Sequence, residues 1–280
     1  MDNMEQRQTP ASGHSVMKTI LILSGLVIAC AAFAIQGPAP STKTTTSSEK
    51  MNSNTTIVLV HGAFADGSCW NKVIPLLERD GYNVIAVQNP LTSYADDVAT
   101  TKRVVSAQKG PVILVGHSYG GAVITGAGVD EANVKALVYV AAFAPDDGEV
   151  IMPLLQKYPS KLGTALVPDS GGYLYIDRPK FKEAFAADVA DEERRLMEAT
   201  QKPVHGAIFG HQFSAPAWKS IPTWNLIAKQ DNAINPELQR FFAKRMKATT
   251  TEVDSSHVPF MSKPNTVAKI IKEAADATTK

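Results

Sequence analysis

Cysteine is scarce in this chain: Cys30 and Cys69 are the only two among 280 residues. Two thiols cannot make a disulfide framework, and Cys69 has no intrachain partner once the segment carrying Cys30 is removed, so it reads as a small packed side chain. Ligand spacings for a metal are missing as well. There is no Cys-x-x-Cys or His-x-x-x-His, and the six histidines are scattered; no metal centre is expected. Excess charge of one sign is also lacking. Lys and Arg total 28 against 27 Asp and Glu, a net charge of +1. Phosphate binding needs a cationic surface, so nucleic acid is not an expected partner. Glycine-rich "GHSYGGAVITGAG" lacks the Gly-x-Gly-x-x-Gly spacing and no phosphate-binding lysine follows, so no nucleotide cofactor is expected. No internal repeat is present.

Long apolar runs are nearly absent, and the one that exists lies near the N-terminus. Met17-Lys18 precedes "TILILSGLVIACAAFAI", residues 19–35. A cationic start, an apolar stretch and small residues at its end describe an export signal over residues 1–36, with Met17 as an alternative start. Ala32-Phe33-Ala34 fits an ordinary cleavage site. Val27-Ile28-Ala29-Cys30 resembles a lipoprotein box, with Cys30 as the lipidated residue. An uncleaved anchor fits less well, because a spanning helix needs about 20 apolar residues. The expected location is periplasmic or secreted, with membrane contact only through the signal or a lipid on Cys30. Residues 37–54 are rich in Ser, Thr and Pro and form a tether without core-forming content.

What the chain does have is a hydrophobic content of 44% with 20% charged residues, enough to bury a core. From residue 55 onward, short apolar runs alternate with helical patterns. "TTIVLVHG" (55–62), "YNVIAVQNP" (82–90), "PVILVGHS" (111–118), "VKALVYVAAF" (134–143), "TWNLIAKQD" (223–231) and "TTTEVDSSH" (249–257) predict strands. The first four are rich in Val, Ile and Leu without strict alternation, as in parallel strands buried on both faces. The alternation predicts an α/β fold with a mostly parallel open sheet flanked by helices over residues 55–280. It breaks at about 146–219. That stretch shows no convincing strand and holds the helix candidate "RPKFKEAFAADVADEERRLMEA", which predicts a small, mostly helical lid over the edge where such sheets bind ligands.

The segment 116–121 carries the chemistry. Gly116-His117-Ser118-Tyr119-Gly120 follows an apolar strand and opens a small-residue helix, the context of a nucleophile elbow. A serine N-cap on a strand–helix turn is the competing reading. A serine hydroxyl is a weak nucleophile and needs a base oriented by a carboxylate. Asp231 and His257 each end a predicted strand, in the order acid then histidine. Singly, Asp231 also fits an Asx turn and His257 a loop histidine; Asp254 is a rival acid. Their joint placement favours a triad of Ser118, Asp231 and His257. Two N–H groups must meet the oxyanion. Tyr119, after the serine, offers one. Ala63, after His61-Gly62 in the loop of the first strand, offers the other, with Phe64 as runner-up. Among the aromatics, Phe64, Phe143 and Trp218 are candidates to line a substrate pocket. His61 and His117 flank motif glycines and are read as supports for the loops.

These residues resemble the α/β-hydrolase superfamily, from about residue 55 to 277. "LVHGAFADGSCWNKVIPLLERDGYNVIAVQ", "VILVGHSYGG", "VYVAAFAPD" and "PELQRFFAKRM" look most like the plant methyl esterase and hydroxynitrile lyase branch and its bacterial esterase relatives. The resemblance implies a cofactor-independent serine hydrolase, foremost a carboxylesterase acting on a small-molecule ester. Lactone hydrolysis or perhydrolysis on the same triad are alternatives, as is a non-catalytic small-molecule binder. Hydroxynitrile lyases of that branch carry a lysine directly after the catalytic histidine; Val258 stands here and disfavours that reaction. Relatives that dehalogenate use an aspartate nucleophile, which Ser118 also disfavours.

Overall fold

The computed structural model describes residues 54–279. The expected signal, Cys30 and nearly all of the tether lie outside the described residues. In chain order the first half contains β1 (Thr56–Val60), α1 (Ile74–Arg79), β2 (Asn83–Val87), α2 (Tyr94–Ser106), β3 (Val112–His117), α3 (Tyr119–Ala127) and β4 (Val134–Val140). A lid insertion follows with α4 (Ile151–Lys157), β5 (Leu166–Pro168), β6 (Tyr173–Ile176), α5 (Arg178–Ala184), α6 (Asp191–Thr200) and β7 (Val204–His205). The chain then returns through β8 (Thr223–Ala228), α7 (Pro236–Met246), β9 (Thr249–Val253), α8 (Pro259–Ser262) and α9 (Pro264–Thr278).

The main sheet runs β2-β1-β3-β4-β8-β9, and every neighbouring pair is parallel. β1 and β3 are buried along their whole length, as unalternated Val/Ile/Leu runs require. Helices α2, α3 and α9 pack against this sheet. Val58, Leu59, Ile113, Leu114, Leu137 and Val138 are inaccessible to solvent. Each such aliphatic side chain contributes about 1.5–3 kcal/mol, so the middle of the sheet is the rigid platform for its edges. Because the strands share one direction, the loops after β1, β3, β8 and β9 emerge at one edge.

The lid is mostly helical, as expected, with two differences from the sequence reading. It contains a three-stranded antiparallel sheet, β5-β6-β7. Strands of two to four residues leave no periodic signal. The hairpin is made by its turn, in which the Asp169 carboxylate accepts the N–H groups of Gly171 and Tyr173 and Gly172 takes φ 79°. Second, the long helix candidate is split into α5 and α6. Between them Phe185, Ala186 and Val189 turn inward and are buried, while Asp191, Glu192 and Glu193 restart a helix with the charge its N-terminus favours.

Candidate active site

Ser118 occupies the one-residue step between β3 and α3 with φ 54° and ψ −124°, a conformation that costs energy for a residue with a Cβ. The turn closes only because the residues two positions before and after Ser118, Gly116 and Gly120, lack side chains. A Cβ on Gly116 would stand 2.4 Å from the Gly120 carbonyl oxygen, and one on Gly120 would stand 2.4 Å from that of Val60. Gly116 therefore faces the backbone of Gly120 itself, and Gly120 faces the backbone at the end of β1. The Ser118 side chain lines a cavity of about 450 Å³ under the lid.

The imidazole and the carboxylate meet as the sequence predicts, although both lie beyond the strands and not within them: β8 ends at Ala228 and β9 at Val253. His257 Nδ1 is 2.7 Å from Asp231 Oδ2. A carboxylate accepts only, so Nδ1 carries the proton and Nε2 holds the lone pair. Nε2 is buried and has no hydrogen-bond partner among the described residues. Asp231 makes contacts of both expected kinds. Oδ1 accepts the N–H groups of Ala233 at 2.7 Å and Ile234 at 2.9 Å, as in an Asx turn, while Oδ2 faces the imidazole. The rival acid Asp254 is exposed and pairs with Lys229.

Two supports were not anticipated from sequence. Gln239, on α7, donates from Nε2 to Asp231 Oδ2 at 2.7 Å and to the Ile234 carbonyl at 2.8 Å, and its Oε1 accepts the Ala228 N–H. Ser256, beside His257, donates from its hydroxyl to Asp188 in the lid through a short contact. The ring of His257 is held between Phe185, at 5.0 Å between centroids, and His117, at 4.7 Å. His117 donates from Nε2 to the His257 carbonyl at 2.8 Å, and burial keeps it neutral by pushing its pKa well below the usual histidine value. His61 donates from Nδ1 to the Gly62 carbonyl and accepts the Asn89 N–H on Nε2; burial lowers its pKa to about 4. Both histidines thus support loops, as expected.

Ala63 and Tyr119, the expected oxyanion donors, both line the cavity beside Ser118. The loop of Ala63 is pressed onto Ser118: a Cβ on Gly62 would stand 2.7 Å from Ser118 Cβ and 3.2 Å from its Oγ. Tyr119 is the first residue of α3, where a backbone N–H has no intrahelical acceptor.

Phe64 and Phe143 line the cavity as expected, joined by Met152, Leu155, Leu162, Leu166, Leu174, Phe209 and Ile234. Trp218 does not belong there. Its indole N–H donates to the Pro145 carbonyl at 2.9 Å and its ring is covered by Arg245 and Lys219. It anchors the return of the lid to the sheet, a role that a buried tryptophan fills when its N–H finds a carbonyl.

A strained serine between parallel strand and helix, with an acid and a histidine from two later strands, is an arrangement with relatives. The family model described as "Alpha/beta hydrolase family" matches residues 57–270. The chain belongs to the alpha/beta hydrolase family. Among curated members it is 27% identical to a probable hydrolase, R7, of Phoma sp., over 78% of this chain and 97% of that protein. It is 28% identical to Methylesterase 1 of Arabidopsis thaliana, over 78% of this chain and 95% of the other. The crystal structure of a pyrethroid hydrolase from Sphingobium faniae JZ-2 superposes with a TM-score of 0.69 at 25% identity, covering 80% of this chain and 98% of that one. Methylesterases stand among the relatives of this family member, as the sequence resemblance implies.

Proposed function

We propose that the protein is a cofactor-independent carboxylic ester hydrolase in which Ser118 is the nucleophile, His257 the general base and Asp231 the acid that orients it. The observation that carries this reading is the 2.7 Å contact of His257 Nδ1 with Asp231, which leaves Nε2 free to accept a proton on a residue whose ring and carbonyl contact His117, the neighbour of Ser118. Relatives named as esterases and hydrolases support the reaction class. In this reading His257 Nε2 takes the Ser118 proton as Oγ attacks the ester carbonyl, and Asp231 stabilises the imidazolium that forms. The N–H groups of Ala63 and Tyr119 receive the negative oxygen. The alcohol leaves with the proton from His257, and water then cleaves the acyl-enzyme.

The cavity points to the substrate class. No Asp, Glu, Lys, Arg or His lines it, and an ionised group there would lose its hydration without a partner. Its volume falls in the range of pockets for drug-sized ligands. The substrate is therefore a neutral, apolar ester. Residues 17–35 support export of the chain, with an intact mass of the mature protein deciding between cleavage and lipidation at Cys30.

The deciding experiment is Ser118→Ala. Its turnover of a neutral p-nitrophenyl ester is expected to fall by several orders of magnitude with an unchanged circular dichroism spectrum. Hydrolysis at the wild-type rate, or a wild-type chain that no serine-directed fluorophosphonate labels, overturns the assignment.

A further inference from the structure

Next to the cavity, whose lining includes Tyr119, a polar cluster is completely enclosed: Asn89, Asp97, Thr101, His61 and Tyr119 are all inaccessible to solvent. A carboxylate in such a place is costly unless its oxygens are hydrogen-bonded. Asp97, in the first turn of α2, has one donor on each. Oδ1 accepts the Leu91 N–H at 2.8 Å, and Oδ2 accepts the Tyr119 hydroxyl at 2.7 Å. Tyr119 follows the nucleophile directly, so one residue carries an N–H beside Ser118 and a hydroxyl anchored on another helix.

We propose that Asp97 is a positioning residue for the oxyanion hole, holding the Tyr119 backbone N–H in place through the Tyr119 hydroxyl. This rests on the serine hydrolase reading above. Three observations carry it. The Tyr119 hydroxyl spends its proton on Asp97 and not on the cavity, so its use is internal. Burial, together with the neighbouring Asp97 charge, raises the phenol pKa above its usual range and keeps it a donor. The same face of α2 also serves the other donor loop. Thr101, one turn after Asp97, donates to Asn89 at 3.3 Å, and the Asn89 N–H donates to His61 Nε2 at 3.0 Å, in the segment leading to Ala63. Preorganised donors work because they need no rearrangement as charge develops. An anchor that prevents the first turn of α3 from rotating provides that rigidity without touching substrate.

The test compares the full-length wild type with Tyr119→Phe, Asp97→Asn and the double variant. It measures kcat and KM for p-nitrophenyl butyrate, inhibition by an alkyl trifluoromethyl ketone, whose tetrahedral adduct carries the oxyanion, and thermal unfolding. Tyr119→Phe is expected to lower kcat about tenfold with KM within about twofold, and to weaken the ketone by the same factor. The double variant is expected to be no slower than the slower single one, because both remove one interaction. If Asp97→Asn does not fold, Tyr119→Phe, which keeps the carboxylate and the ring, decides alone. A lowered unfolding temperature with kcat and ketone affinity unchanged, measured well below unfolding, overturns the proposal while leaving the hydrolase reading intact. A wild type that neither hydrolyses the ester nor reacts with a fluorophosphonate overturns both.

Discussion

Gln239 is the side chain that supports Asp231, the acid of the proposed triad, from helix α7. It spans two structural needs with one amide, closing a bond to the Ala228 N–H at the end of β8 and another to Asp231 Oδ2. Gln239→Leu keeps the volume but strands one buried donor and reduces the support of a buried carboxylate. A loss of about 1–3 kcal/mol is expected for the stranded group alone, read from urea unfolding, with kcat reduced roughly 10- to 100-fold. Wild-type kcat in a folded Gln239→Leu chain would show that the Asx turn alone holds Asp231. His61 makes a prediction of pH. Its unfolded form takes up a proton near pH 6.5, whereas the folded form does so only near pH 4, because burial opposes the charge more than the Gly62 carbonyl favours it. Between those values the unfolded chain binds more protons, so stability is fully present above pH 6.5 and is lost as pH falls toward 4. The difference amounts to roughly 3 kcal/mol at the acid end. The urea midpoint should fall less between pH 7 and 4.5 in His61→Gln than in the wild type; an equal fall removes His61 as the cause.

At the scale of elements, the elbow and the oxyanion loop form one packed object. Gly62 touches Ser118, so a methyl group at 62 must push either the loop or the nucleophile aside. Its other neighbour, the His117 carbonyl at 2.9 Å, is backbone and cannot yield cheaply. Gly62→Ala is expected to lower kcat at least about 100-fold while a folded sheet remains, since an ångström of misplacement at a reacting centre has that scale of effect; the rate of fluorophosphonate labelling measures it. These elements were legible in the sequence for a physical reason. Ser118 and Asp231 stand within three residues of the ends of the short, buried, mostly apolar strands β3 and β8, a strong pattern, and His257 follows the partly exposed β9. The supports were not legible. Gln239 in "PELQRFFAKRM" has the profile of a solvated helix face, Asp97 looks like ordinary acidic charge at a helix start, and Asp188 lies in a turn. Each gains its meaning from a partner distant in sequence. The lid strands failed for a related cause. They are too short to alternate, and the hairpin depends on Asp169 bonding to its own turn. Trp218 was misjudged because an aromatic residue near a pocket and one bracing a lid are the same letter.

At the scale of the whole molecule, no charged side chain among the described residues lines the cavity beside Ser118. Ion pairs such as Arg240 with Glu252 and Lys272 with Asp80 lie on the partly exposed surface, and the wall around Ser118 has none. Pairs of that kind contribute little individually, so the arrangement matters for selectivity more than for stability. Matched esters should reveal it. The kcat/KM for an alkyl ester of a neutral acid is expected to exceed that for the monoester of a dicarboxylic acid of equal length by at least about 100-fold. Near-equal values would place a cation or a water channel at the ester that the cavity does not suggest.

The parallel sheet brings the reacting groups in on loops from strands that are far apart in sequence, whereas much of the chamber's wall, including Met152, Leu155, Leu162, Leu166, Leu174 and Phe209, comes from a single contiguous insertion. The proposed machinery and its mould are thus encoded in different segments that meet at Phe185 and Asp188. A graft exchanging residues 146–219 for those of a relative is expected to retune which molecules are admitted, provided it keeps Phe185 and Asp188, the two lid residues that brace His257 and Ser256.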